Sequence, residues 1–255
     1  MNMKVSVVLP TWNRANRIAG AIRSIIDQSY ENWELIVLDD GSTDGTERIV
    51  KNFAHPRVKY HKIDHQNNIS RVRNIGNKLA TGDIIVVQDS DDLSFPDRLE
   101  WIVDAFQNNP TAEVVYHGIY LSFIDPYNGA IIRKVRHAEQ FDRDRLKKEQ
   151  YIPGQIAYLK KTWEEIPYNE DIVLMDDFAF LVELAYSGKE FYRLNRNLYE
   201  YISSPDSVNV SGEMDGRRRE DVKKLIDVLK NKYGVEAHAT LTKQSEGRVF
   251  EQETI

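Results

Sequence analysis

The chain has 255 residues, of which 41% are apolar, which suits one large domain with a tail better than two independent domains. A net charge of -6 argues against the basic face of a nucleic-acid-binding protein, though not against an anionic ligand met through a metal or an arginine cluster. Cysteine is absent, which excludes disulfides and thiolate metal sites and fits a reducing compartment.

The opening "MNMKVSVVLP" lacks the apolar core and cleavage site of a signal peptide. "KVSVVLP" is a short β-branched run ended by Pro10, hence a buried strand. Ile18, Ile22, Ile25 and Ile26 then recur at helical spacing. "WELIVLDD" is a second strand, and Asp44 and Glu47 are placed as cap and third residue of the next helix. "RVKYHKI" is a third strand, "ISRVRNIGNKLA" a third helix and "DIIVVQD" a fourth strand. Ser94 and Asp97 form a capping-box pattern, and Leu99, Ile102, Val103 and Phe106 make one apolar stripe after it. "AEVVYHGIYLSF" is strand again, and "DPYNGA" carries the Asn-Gly signal of a hairpin turn.

Beyond residue 135 the pattern loosens. "RKVRHAEQFDRDRLKKEQ" is charge-dense and reads as an exposed loop or short helix. "MDDFAFLVELAYSG" is a helix with Asp176 and Asp177 at its start and Gly188 at its end. Val222, Leu225, Ile226, Leu229 and Tyr233 define a last amphipathic helix over 213–234, stopped by Gly234. Residues 235–255 show no periodicity and read as a flexible tail. No apolar run approaches the roughly 18 residues that span a bilayer. The chain therefore reads as cytoplasmic, with any contact at the inner face of a membrane peripheral.

Four alternations of strand and helix over about 110 residues specify a parallel α/β sheet with helices on both faces. Ligands of such sheets bind beyond the carboxyl ends of the strands, so "LDD" and "QDSDD" should share one rim. Asp89 and Asp91 offer the hard oxygens that Mg²⁺ and Mn²⁺ prefer. Asp92, beside the turn, reads as a capping or solvated residue. Trp12 and Asn13 sit above the sheet, where an aromatic ring can stack on a base or simply cover the core edge. Asp40 is placed to accept from a base or ribose, or to cap. On a helix, Arg71 and Arg73 diverge by about 200°, so only one of them can face a ligand. At Asp176 and Asp177, helix capping competes with a general base. His61 and His65 are separated by strand geometry and lack a third zinc ligand. His117 and His137 read as core or surface packing.

"VSVVLPTWNR", "NWELIVLDDGSTDGT", "SRVRNIGNKLATGDIIVVQDSDDLSFPDRL" and "MDDFAFLVELAYSGK" occur in the order and spacing of the family 2 glycosyltransferases, which the chain resembles over residues 3 to 205. That resemblance implies the Rossmann-like GT-A fold over 1–212. A nucleotide-binding half would occupy about 1–110 and an acceptor-side half about 111–212. It also implies inverting transfer of a sugar from a nucleotide donor, usually a UDP-sugar, to a hydroxyl on a glycan, lipid-linked or other acceptor. By position, Pro10, Thr11, Trp12, Asn13, Arg14, Asp40, Arg73, Asp89 and Ser90 would surround the nucleotide. Asp91 would reach a Mn²⁺ or Mg²⁺ ion, and Asp177 would be the catalytic base. The family often has Glu-Asp where this chain has Asp176-Asp177. Two alternatives remain: a non-catalytic nucleotide-sugar-binding protein, and a nucleotidyltransferase, which would want a glycine-rich loop that "PTWNRANR" lacks.

Overall fold

The computed structural model describes residues 3–124, 131–203, 214–235 and 251–253. Its first half is a run of strand and helix units: β1 (Val5–Thr11), α1 (Ile18–Ile26), β2 (Trp33–Asp39), α2 (Thr46–Asn52), β3 (Val58–Lys62), α3 (Ile69–Leu79) and β4 (Ile84–Val87). Their strands pair in parallel in the order β4-β1-β2-β3. Alternation sorts the side chains of β1 between two layers. Val5, Val7 and Leu9 pack with Ile18, Ile22 and Ile25 of α1, whereas Val8 joins Ile36, Ile85 and Val87 on the other face.

The second half extends this sheet with mixed pairing. It comprises β5 (Leu93–Ser94), α4 (Arg98–Asn108), β6 (Val114–Ile124), β7 (Ile131–Arg136), α5 (Arg143–Leu146), β8 (Ala157–Leu159), α6 (Lys160–Glu165), α7 (Asp176–Tyr186), β9 (Phe191–Ser203), α8 (Met214–Tyr233) and β10 (Glu251–Glu253). Antiparallel β8 joins β4 to β6. Along its length β6 also pairs antiparallel with β7 and parallel with β9. The expected "DPYNGA" turn lies outside the described residues, but the strands on either side of it pair as a hairpin requires, Ile124 opposite Ile131.

Helix α7 anchors the second layer. Every residue from Phe178 to Ala185 is buried, as in a helix enclosed by core on all sides. Full burial of each large side chain there contributes roughly 1.5–3 kcal/mol. Gly188, at φ +76°, takes the left-handed turn that ends it.

Four local expectations are corrected. Pro10 does not end β1, which continues to Thr11 opposite Asp39. Val8 O accepts from Gln88 N, and Pro10 presents its backbone on that same side just where β4 has stopped, so no ladder partner is lost. Ser94 is not part of a capping box; it lies in β5, and its hydroxyl donates to Gln88 Oε1. The charge-dense stretch after residue 130 includes a strand, β7, held by antiparallel pairing with β6 and carrying the buried Val135. Within the expected tail, Glu251–Glu253 pairs antiparallel with β7.

Candidate active site

The loop after β4 is shaped by a fully buried glutamine. Gln88 Nε2 donates to the carbonyls of Asp89 and Asp92, each at 3.0 Å, while its Oε1 accepts from Ser94 Oγ and Arg98 Nη1. The Tyr199 hydroxyl accepts from Asp89 N at 3.0 Å. The Asp89 carboxylate then takes Arg73 Nη2 at 3.1 Å on one oxygen and Gln155 Nε2 at 2.9 Å on the other. Among the described residues Asp91 has Arg14 Nε, at 3.6 Å, as its ion-pair partner, and burial followed by the Asp89 charge raises its pKa.

Asp92 overturns the expectation of a solvated residue. It is 1% exposed, accepts from Ile202 N at 2.8 Å through Oδ1, and leaves Oδ2 without a hydrogen-bond partner. Burial, then Asp89 and Asp91, pushes its pKa well above the carboxylate range. Three crowded acids with this strong demand for positive charge fit a hard cation. Among the described residues, no three His, Cys, Asp or Glu side chains converge on one metal-sized point. The donor set therefore fits Mg²⁺ or Mn²⁺ held by one or two carboxylates, with water and phosphate completing the shell.

The tips of β1 and β2 form the neighbouring corner. Asp40 N donates to Thr11 O, Asn13 N to Ser42 Oγ, Thr43 N to Asn13 Oδ1 and Arg14 N to Thr46 Oγ1, at 2.8–3.0 Å. Asn13 takes a left-handed φ of 50°, which asparagine tolerates. Asp44 accepts from Thr46 N through one oxygen and from Ala15 N through the other, but the cap residue of α2 is Gly45, so the expected cap at Asp44 is not formed. These bonds lash two loops together. Asp39 is spent internally on Ser42 N and the Tyr60 hydroxyl, which leaves Asp40 at the rim.

Trp12 is 49% exposed and stacks on His65, with ring centroids 4.6 Å apart and planes 13° apart. His65 Nδ1 lies 2.8 Å from Asp40 Oδ2, and Gln66 N donates to Asp40 Oδ1 at 2.7 Å. Beside them lies an open depression of about 860 Å³ lined by Gly41, Ser42, Thr43, Lys62 and His65. Of the other residues assigned to the nucleotide, Pro10, Thr11 and Ser90 are buried.

The start of α7 completes the rim. Arg73 Nε donates to Asp176 Oδ2 at 2.8 Å while Nη2 holds Asp89, so a buried arginine ties α3, the β4 loop and α7 together. Arg71, on the diverging face, meets exposed Glu170 instead. Arg73 thus lies between two acids rather than open at the rim. Burial lifts the Asp176 carboxyl to about 6 despite Arg73. Asp177 points elsewhere. Its Oδ2 accepts from Gln150 Nε2 at 2.7 Å, and a Cβ at Gly154 would fall 2.8 Å from Asp177 Cβ and closer still to Oδ2. Gly154 and Gln155 therefore run between Asp177 and Asp89, touching both. Neither acid caps α7 in the ordinary way, since Met175 is the cap residue and makes no side-chain bond.

Gln150, Gly154, Gln155 and Tyr199 were not singled out by sequence, and His65 was weighed only as a zinc ligand. Only Pro153-Gly154 carried a signal, that of a turn. His117 is buried and accepts from Arg98 Nε at 3.0 Å, and burial and then Arg98 lower its pKa to about 3. His137 meets Asn197. Both are packing residues, as expected.

A sheet of this order with acids at its strand tips defines the GT-A fold of glycosyltransferases. S. aureus TarS (residues 1-349), solved in complex with UDP-GlcNAc, superposes with a TM-score of 0.72 at 18% identity, covering 90% of this chain and 66% of that one. The mannosyltransferase PcManGT from Pyrobaculum calidifontis, solved with GDP-Man and Mn2+, gives 0.65 at 20% identity, covering 92% and 66%. The chain belongs to Glycosyl transferase family 2, whose pattern matches residues 6–166. EpsE of Bacillus subtilis (strain 168) is 44% identical over 119 residues, 46% of this chain and 43% of that one. The matched stretch thus spans less than half of that relative. No helix among the described residues is long and apolar enough to cross a membrane.

Proposed function

We propose that the protein transfers a sugar from a UDP-sugar to an acceptor hydroxyl, with inversion at the anomeric carbon. The observation that carries this reading is that Asp89, from the end of β4, and Asp177, from the start of α7, lie on either side of Gly154 and Gln155, with Asp91 two residues along the β4 loop from Asp89. Family membership and the nucleotide-sugar complexes of TarS and PcManGT support it.

In this reading residues up to about 110 hold the donor and the remainder up to 212 shapes the acceptor side. Trp12 stacks on the base, Asp40 accepts from its imide, Asp89 faces the ribose, and Arg14 approaches the diphosphate. Mg²⁺ or Mn²⁺, when bound at Asp91, stabilises the negative charge that develops on the departing nucleoside diphosphate. Asp177 accepts the proton of the acceptor hydroxyl as that oxygen attacks the anomeric carbon from the face opposite the diphosphate. The bond from that carbon to the phosphate oxygen breaks, and its electron pair leaves on UDP. Gln150 fixes the orientation of Asp177, while Arg73 keeps Asp176 turned away from the acceptor.

A thermal-shift panel of UDP-, dTDP-, GDP- and CDP-sugars with and without Mn²⁺ tests the donor and metal together. The expected result is the largest shift with a UDP-sugar plus Mn²⁺. Asp177→Asn should keep that shift and lose UDP release. Absence of a shift with every nucleotide would remove the reading.

A further inference from the structure

Helix α8 lies beyond the stretch that matches the family, yet it reaches the chain that leads into the candidate base. Asp221 is 3% exposed. A carboxylate buried that deeply must be hydrogen-bonded or it destabilises the fold. Its Oδ2 accepts from two successive backbone amides, Leu174 N at 2.6 Å and Val173 N at 3.1 Å. Lys224, one turn on, lies 3.9 Å from Oδ1 and donates to Asp171 O at 2.9 Å. At the far end of the helix, Tyr233 meets Ser187 and Lys232 meets Glu183, so α8 lies along α7 from before its start to its end. Leu225 and Leu229 are buried on the same face.

The segment before α7 has no strand or helix of its own, so its direction depends on such bonds. From the opposite side α3 holds its other backbone groups. Asn68 Nδ2 donates to Glu170 O, Ser70 Oγ to Ile172 O and Asn74 Nδ2 to Tyr168 O. Asp221 alone among the described side chains takes the N–H groups at 173 and 174, three and four residues ahead of Asp177. We infer that Asp221 is a positioning residue for Asp177: by clamping these two amides it sets the angle at which the chain enters α7 and aims the Asp177 carboxylate at the acceptor hydroxyl. This inference rests on Asp177 being the base, and it makes α8 part of the catalytic unit rather than an appendage.

The test uses full-length wild type, Asp221→Ala, Asp221→Asn and Asp177→Asn. UDP release from the nucleotide-sugar that gives the largest shift in the panel, with Mn²⁺ and water as acceptor, gives kcat and KM. Binding of UDP with Mn²⁺ is measured separately by calorimetry, and amide exchange at Val173 and Leu174 by mass spectrometry. Asp221→Ala should lower kcat by about 10- to 100-fold while leaving donor KM and UDP affinity within about twofold, as expected for a misaimed group. Exchange at 173 and 174 should rise. Asp221→Asn keeps an acceptor oxygen and should fall between. A buttress with no bearing on aim would lower the melting temperature and leave kcat of the folded protein unchanged, which would overturn the inference. Equal losses in kcat and UDP affinity would overturn it too. If Asp221→Ala does not fold, Asp221→Asn must show the same split at smaller size. Undiminished release by Asp177→Asn would remove the assignment of the base itself, whatever Asp221 does.

Discussion

Replacing Gly154 by alanine probes the closest approach in the site. The backbone of Gly154 lies outside the left-handed region, so its conformation admits alanine, and the nearest atoms a new Cβ would meet all belong to Asp177. The new methyl would meet Asp177 Cβ at 2.8 Å and Cγ at 3.0 Å, where ordinary contact begins at 3.4 Å. Because the clash includes Cβ, swinging the carboxylate alone does not relieve it; Asp177 and the first turn of α7 must retreat by about 0.6 Å or more. Misplacement of a reacting group by about 1 Å costs on the order of 10²-fold in rate. We therefore expect kcat for UDP release to fall about 10- to 100-fold, with an overpacking cost of about 1–3 kcal/mol in stability. Calorimetric titration with UDP and Mn²⁺ should give an unchanged Kd as long as Gln155, the next residue, keeps its bond to Asp89. Wild-type turnover in a folded Gly154→Ala protein would show that Asp177 is not the group whose position limits the reaction.

Three other substitutions bear on separate parts of the molecule. Trp12→Ala should weaken UDP binding by less than the about 1–3 kcal/mol (about 5- to 160-fold) of a full base stack, because a base on that face displaces His65, and should leave the melting temperature unchanged, because half of the indole is already exposed; an unchanged Kd would move the base elsewhere. Asp91→Asn should abolish the Mn²⁺-dependent part of the UDP thermal shift, and the unliganded protein should melt no lower than wild type, since one of three crowded acids is discharged; a persisting shift would place the ion on other ligands. Glu34→Gln reports on pH. Burial alone would raise the pKa of Glu34, but bonds from Lys59, Ser6 and Thr81 outweigh it and hold the group far below its ordinary 4.5. A depressed native pKa adds stability above the unfolded value and loses it as pH falls toward the native one. The variant should therefore be about 2–3 kcal/mol less stable in urea at pH 7, with the gap closing below about pH 4; a gap independent of pH would contradict this.

The parallel half of the sheet was largely legible in the sequence because its signals are local. β1 and β2 end in Thr11 and Asp39, β4 is followed at once by Gln88 and Asp89, and the rule that ligands sit at such ends assigns Trp12, Asp40 and Asp91 to one rim. The divergence of Arg71 and Arg73 likewise follows from helix geometry alone. Asp92 was misjudged because the atom that buries it, Ile202 N, lies 110 residues away on a strand whose charged alternation hides it. Gln150 and Gln155 come from a segment with no periodicity, so nothing local marks them. The difference between Asp176 and Asp177 is set by Arg73 on one side and Gly154 on the other, which is tertiary information.

The imidazole of His65 already lies flat on the Trp12 indole and already grips Asp40. A planar ligand arriving on that same face would exchange one ring for another rather than fill a void, so its stacking gain is a difference between two similar terms. Discrimination among nucleobases would then rest on the edge that imidazole lacks, and variation at position 65 would tune donor choice while the acids at the strand tips stay untouched.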